Sequence, residues 1–324
     1  MKRCGLFGLL LVLGCDGPQS ALDPAGRAAE RIAALFWWMT IGSVIIWLAI
    51  VGLALYAIHH VHEPHSREDM RLFIIGGGVI FPTVVLAGLL TYGLALLPDL
   101  VAPAPAGSVK IAVTGEQWWW RVRYLPPGGE AVELANEIRL PVGEPVEFQL
   151  ESPDVIHSFW IPALGGKMDM IPGRVNRLVL EPTRTGVFRG ACAEYCGTSH
   201  ALMNFSVVVQ EKEDFTRWLT QQAEPAATPT SPHASRGQAA FFANGCGACH
   251  TIRGTEAGGV VGPDLTHVGG RLSLGAGVLP NAPDAFLHWV AHTQNVKPDV
   301  AMPAFGMLPP DELRALAAYL DGLQ

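Results

Sequence analysis

Residues 192–203 read CAEYCGTSHALM, and these twelve positions hold two thiols, an imidazole and a thioether. Cys192 and Cys196 are four apart, His200 follows four later and Met203 three after that, so one compact loop can aim all four at a common point. Thiolate, imidazole and thioether together select a soft or borderline metal, copper above all. The nearest upstream histidine in alternating polar and apolar sequence, His157 of DVIHSFWIP, adds a second imidazole. Two thiolates, two imidazoles and one thioether are too many for a single tetrahedral ion, and a pair of coppers bridged by both sulfurs fits the count. A Cys192–Cys196 disulfide leaves His157, His200 and Met203 unexplained. A mononuclear zinc site makes poor use of Met203.

Moving outward, DVIHSFWIP (154–162), GKMDMIPGR (166–174) and CAEYCGTSHALM occur in that order. Together they resemble the copper domain of subunit II of cytochrome c oxidases. The resemblance implies a binuclear CuA centre with Cys192 and Cys196 as bridging sulfurs and His157 and His200 as imidazole ligands. Met203 and the backbone carbonyl of Glu194 would be its weak axial ligands. It also implies a magnesium ion at the boundary with subunit I, held by the Glu194 carboxylate, with Asp169 either supporting it or serving as a plain turn carboxylate.

A second signature, CGACH at 246–250, is the attachment pattern for covalent haem c, with Cys246 and Cys249 forming thioethers and His250 ligating iron. The alternative is a redox dithiol. Electron-carrying cytochromes commonly add a Met as sixth ligand, which raises the potential. Met302 of VAMPAF is that residue, with Met307 as its rival. The following helical pattern at 310–323, and GPDLTHVGGR at 262–271, resemble the small class I cytochromes c.

The two centres use four of six cysteines, and Cys4 and Cys15 remain at the N-terminus. Lys2 and Arg3, an apolar stretch at 6–13 and then Gly14-Cys15 resemble a bacterial lipoprotein signal, residues 1–14, with Cys15 lipidated after cleavage. An ordinary signal peptide and an uncleaved anchor are the alternatives. No cysteine is left for a structural disulfide, so cysteine usage reports metal chemistry.

The 324 residues are 49% apolar and exceed one ordinary domain. Residues 32–58 and 72–97 carry no charged side chain, and each exceeds the roughly 20 residues that a transmembrane helix requires. Trp37, Trp38, Trp47 and Tyr92 suit membrane placement. Pro82 predicts a kink, and the glycines at 76–78 the close approach of another helix. The turn between the spans holds His59, His60, His62 and His65, read as exposed titrating groups rather than a second metal site. Haem attachment on the outer side of bacterial membranes puts both termini outside the inner membrane.

After Pro98 the pattern changes to short alternating strands, clearest in KIAVTGEQWWWRVRY, EIRLPVGEPVEFQLES, NRLVLEPTRTGVFRGAC and VVVQ. The expected architecture is therefore multidomain. A two-helix transmembrane hairpin (27–98) precedes an all-β cupredoxin-like CuA domain (99–222), a mobile Ala, Pro, Thr and Ser linker (223–235) and an all-α cytochrome c domain (236–324). Three consecutive tryptophans cannot share one face of a strand. By resemblance, Trp118 is the surface aromatic over the copper pair where electrons enter; the alternative places Trp118 and Trp120 in the core and Trp119 at the surface against a partner subunit.

Two departures from the family pattern stand out: Glu116 replaces a frequent His before QW, and Ile75 occupies the position of a Glu near a proton-channel mouth. The alternatives at the latter position are that proton uptake does not use this route or that another group, such as Glu68, serves it. The formal net charge of −7 gives no basis for nucleic-acid binding.

The resemblance implies the electron-input subunit of a haem-copper cytochrome c oxidase, feeding subunit I, beside subunit III, for O2 reduction coupled to proton translocation. The donor is a cytochrome c or a quinol-oxidising complex. The alternatives are the copper subunit of a nitric oxide reductase and a non-catalytic copper or redox sensor; nitrous oxide reductase shares the CuA domain but adds a propeller domain not found in this sequence.

Overall fold

The computed structural model describes residues 16–60 and 66–324; the leader, Cys4, Cys15, His62 and His65 lie outside the described residues. The chain divides into two compact units, Glu30–Ala102 and the remainder.

In the first unit, helix α1 spans Arg27–His60, beginning just before the unit's boundary. Helix α2, Arg67–Ile75, continues through a π-helical turn, Gly76–Ile80, into α3, Phe81–Leu100. Ser66 caps α2 by accepting the Asp69 N–H at 3.1 Å. The two continuous helices are 34 residues each, and the windows of highest mean hydropathy, 2.4 and 2.3, contain no buried residue. A core helix of a soluble protein hides its apolar face, whereas these windows are apolar and exposed all round, in helices long enough to cross a bilayer. The expected spans fall inside them.

The predicted kink takes the form of the π turn. Pro82 has no N–H, and its ring crowds the carbonyl four residues back, at Gly78, so the widened turn absorbs the mismatch. Nothing lies within 4 Å of a Cβ built at Gly76, Gly77 or Gly78, so the helix approach expected there is not made among the described residues.

The second unit contains a β-sandwich and a helical body. One sheet has the order β3-β2-β1-β5-β8: Val132–Ala135, Trp119–Tyr124, Val109–Glu116, Val146–Glu151 and Asn176–Leu180. The other is β4-β10-β9-β6-β7: Glu137–Pro141, Asn204–Gln210, Gly186–Cys192, His157–Trp160 and Met168–Met170. The pairs β1 with β5 and β10 with β4 are parallel, and the rest antiparallel. Period-two alternation sends Trp120, Val122 and Tyr124 of β2 inward, where Trp120 meets Phe159 and Phe205 edge-on. Trp119 faces outward under the Arg121 guanidinium, 4.7 Å from the ring centroid.

Residues 16–29 are held against the sandwich, a feature the sequence did not announce. The Ala25 N–H donates to Ala163 O at 2.7 Å and the Thr183 N–H to Ala25 O at 2.8 Å. A Cβ on Gly26 would stand 2.5 Å from Leu164 O, so this close approach requires glycine.

Helix α4, Lys212–Ala223, leads from the sandwich into the linker. Only residues 224–231 lie between helices, so the expected linker of 223–235 is shorter than predicted, its last residues joining the next helix, and it is fastened at its start because the Ala226 N–H donates to Arg253 O at 2.9 Å. The helical body consists of α5 (Pro232–Ala243), α6 (Pro283–Val296) and α7 (Pro310–Asp321), each opening on a proline whose missing N–H costs nothing at that position. A small hairpin, β11 (Ser273–Leu274) with β12 (Leu279–Pro280), completes it. Helices α5 and α7 cross where Gly237 stands. A Cβ there would lie 1.9 Å from Ala315 O, so bare backbone sets the crossing distance.

Candidate copper and haem centres

Strand β9 ends at Cys192 and β10 begins at Asn204, so the CAEYCGTSHALM loop is clamped at both ends by neighbouring antiparallel strands. The Cys192 N–H donates to Met203 O at 3.0 Å, closing the loop. Gly197 adopts φ +114°, and a Cβ there would lie 3.0 Å from Trp118 Cζ2; glycine meets both demands. A 3-10 turn at His200–Leu202 then brings His200 and Met203 back toward Cys196.

The predicted ligands converge. Cys192 Sγ lies 3.8 Å from Cys196 Sγ, 3.8 Å from His157 Nδ1 and 3.2 Å from Glu194 O. Cys196 Sγ lies 3.5 Å from His200 Nδ1 and 3.8 Å from Met203 Sδ. The sulfurs are nearly twice a disulfide bond length apart, and both cysteines are free. His157, Cys192 and Cys196 are buried, with ligand atoms all within 4.8 Å of one another. Such a set of soft and imidazole donors, gathered out of water, fits copper.

One further residue completes the arrangement. Asp154 Oδ1 is 2.8 Å from His157 Nε2, which fixes that nitrogen as the N–H donor and turns the Nδ1 lone pair toward Cys192. Burial works against the Asp154 carboxylate, but hydrogen bonds from the Val155 and Gln117 N–H groups and from His157 outweigh it and hold its pKa below the usual value. The hydrogen bond from Cys196, assisted against burial by His157, pulls the Cys192 thiol far down; the proton that remains on Cys196 is held correspondingly tightly. The first thiolate is thus prepared for metal.

The second site is a largely apolar cavity of about 360 Å³ in the helical body, lined by Cys246, Cys249, His250 and Met302 with Phe241, Phe286, Trp289 and Leu316. His250 Nδ1 is 2.8 Å from Pro263 O, so it carries the proton and Nε2 is left as a ligand. Burial lowers the His250 pKa and keeps the ring neutral. A Cβ on Gly262 would lie 2.5 Å from His250 Cε1, so this glycine leaves room for the ring. Met302 packs against the domain core, whereas Met307 is 76% exposed and does not line the cavity.

Arg271, not singled out from sequence, also lines the cavity; its buried Nε has no hydrogen-bond partner among the described residues, and desolvation lowers its pKa. An orphaned guanidinium N–H beside an apolar cavity fits a ligand with carboxylates at one edge, as haem has.

Trp118 touches both sites. It lines the cavity, and its Nε1–H donates to Cys196 O at 3.0 Å, beside the Gln117 Nε2–H at 2.7 Å. It is 7% exposed, and the surface position expected from resemblance is corrected: the helical body covers it.

The family model for the periplasmic domain of cytochrome c oxidase subunit II matches residues 125–211, and the cytochrome c model matches 234–324. Subunit 2 of the oxidase of Alkalihalophilus pseudofirmus is 33% identical over 336 residues, 98% of this chain and 95% of that protein. This chain belongs to the cytochrome c oxidase subunit II family. The Bacillus subtilis subunit 2 is 27% identical over 341 residues, 97% of this chain and 95% of its own. The crystal structure of the periplasmic domain of subunit II (CoxB) of Bradyrhizobium japonicum is 34% identical, with a TM-score of 0.34, over 37% of this chain and 96% of that one. As a subunit II, the chain is part of an oxidoreductase complex and partners subunit I. Its sandwich is the cupredoxin-like domain that implies CuA copper, and its helical body is the cytochrome c domain that implies haem.

Proposed function

We propose that this subunit II is the electron input of a haem-copper oxidase, passing electrons from an external donor through haem c and Trp118 to CuA and on to subunit I, where O2 is reduced to water with proton translocation. The observation that carries this reading is the double contact of Trp118, which joins the cavity beside CGACH to the Cys196 carbonyl. Cys246, Cys249, His250 and Met302 would hold the haem covalently and axially. His157, Cys192, Cys196, His200, Met203 and the Glu194 carbonyl would hold the copper pair. Both groups supply one-electron redox chemistry when bound; the protein's part is a rigid β scaffold whose ligands barely move between charge states.

Asp154 acts as a positioning residue for His157. Asp154→Ala should lower copper affinity about 10- to 100-fold, the usual cost of losing such a partner. Copper retained per chain after dialysis against a graded chelator checks this, with unchanged retention as the contrary result.

A magnesium ion at Glu194 belongs to the same proposal. Glu194 and Asp169 both approach the Lys167 ammonium, at 3.8 and 3.7 Å, so a divalent ion at the subunit I face would displace that lysine. The division into leader, hairpin, copper domain, linker and cytochrome domain, lipidation at Cys15, subunit III as neighbour, a cytochrome c or quinol-oxidising donor, and placement in the bacterial inner membrane with both globular domains outside complete the reading. With Ile75 in place of the usual carboxylate, Glu68 is the proposed acid at the proton mouth.

The test is O2 against nitric oxide consumption by the purified complex fed with reduced cytochrome c. Oxygen uptake is the expected result, and nitric oxide turnover without oxygen turnover would overturn it.

A further inference from the structure

Lys297 is 1% exposed, yet its side chain is neither in the membrane nor among the ligands assigned above. It follows α6 in the cytochrome domain. Its ammonium donates to three backbone carbonyls: Trp118 O at 2.5 Å, Leu202 O at 2.9 Å and Gly275 O at 2.9 Å. An ammonium has three N–H donors, so all are used.

The acceptors are distributed in a telling way. Gly275 belongs to the cytochrome domain, Trp118 to the residue that bridges the two sites, and Leu202 to the turn between His200 and Met203. Burying a charge is costly unless it is fully hydrogen-bonded, and here the bonding requires both domains to be in place. Neighbouring contacts reinforce the seam: Ser199 Oγ donates to Pro298 O at 2.6 Å and the Asn204 N–H to Ala276 O at 3.0 Å.

We propose that Lys297 is a positioning residue that locks the cytochrome domain onto the copper loop, fixing Trp118 and the 200–203 turn in one transfer-competent geometry. This rests on the functional reading above and extends it. The tethered domain does not search for its acceptor. Without the lock, a domain on a linker has only an effective concentration set by linker length, and each transfer waits for a productive encounter.

The measurement is flash photoreduction of haem c in the whole complex, followed at the haem and copper absorption bands in buffers of graded viscosity. Wild type should transfer at a rate independent of viscosity. Lys297→Met should keep both absorption signatures but transfer at least about tenfold more slowly, since small misplacements at a reacting centre carry penalties of that order. Its rate should also fall with viscosity, which a merely structural lysine would not cause, and Lys297→Arg should restore most of the rate.

An unchanged rate in a fully loaded Lys297→Met complex overturns the lock. So does viscosity-dependent transfer in wild type, a result that stands even if the variant fails to assemble. Absence of the copper signature from wild type would instead overturn the functional reading itself.

Discussion

Cys196→Ala should bring oxygen uptake by the complex down by more than about 100-fold while haem c is still reduced by donor at the wild-type rate. The magnitude follows from position. Loss of a residue that merely orients a metal ligand costs about 10- to 100-fold, and Cys196 touches more of the cluster than any orienting residue does. Its sulfur stands 3.8 Å from Cys192, 3.5 Å from His200 and 3.8 Å from Met203, so alanine removes the shared vertex and separates the remaining donors into two incomplete sets. The backbone carbonyl of residue 196, which accepts from Trp118 and Gln117, survives the change. Trp118 should therefore keep its place between the haem cavity and the copper loop, and the defect should fall after haem reduction. Parallel assays of haem reduction, copper content and O2 consumption check this; oxygen uptake that survives loss of copper would sink the relay.

The parts legible in the sequence were those whose chemistry is local. Two cysteines, a histidine and a methionine within one loop declare a metal site whatever the fold, and CGACH declares haem attachment in five residues. His157 was reachable because it is the nearest upstream imidazole in a strand-like pattern. Asp154 was not: its role depends on β6 starting at His157, so that the residue three earlier folds back under the ring. Lys297 was still less legible, because its partners are backbone carbonyls, which leave no mark in a sequence, and they come from segments about 180, 95 and 22 positions away. The triple glycine at 76–78 was ambiguous in kind. Small residues permit helix contact or local unwinding, and proximity to Pro82 selected the π turn. The linker's composition conveyed extension, but its anchor on Arg253 O uses a backbone N–H that composition cannot reveal.

Met302→Ala and Met307→Ala should separate completely. Met302 lines the haem cavity and packs on the core of the cytochrome domain, while Met307 stands 76% exposed outside it. A thioether on haem iron raises the reduction potential relative to weaker field partners and closes the sixth position to other ligands. Its removal should lower the potential, and for one electron each 59 mV shifts the equilibrium tenfold. Reduction of haem c by its donor then becomes less favourable by that factor per step, whereas onward transfer to copper becomes more favourable, so donor-limited haem reduction should slow and oxygen uptake should fall with it, at least about tenfold. The altered iron should also bind added imidazole or cyanide, which the wild type excludes. Met307→Ala should leave the potential, ligand exclusion and uptake unchanged. Redox titration of haem c with and without added imidazole distinguishes the two, and a fall in potential confined to Met307→Ala would reassign the sixth ligand. Simple loss of packing cannot imitate the expected pattern: truncating a half-buried Met weakens the fold without opening the iron to exogenous ligands, so a Met302→Ala protein that is less stable yet still excludes imidazole would also reject the assignment.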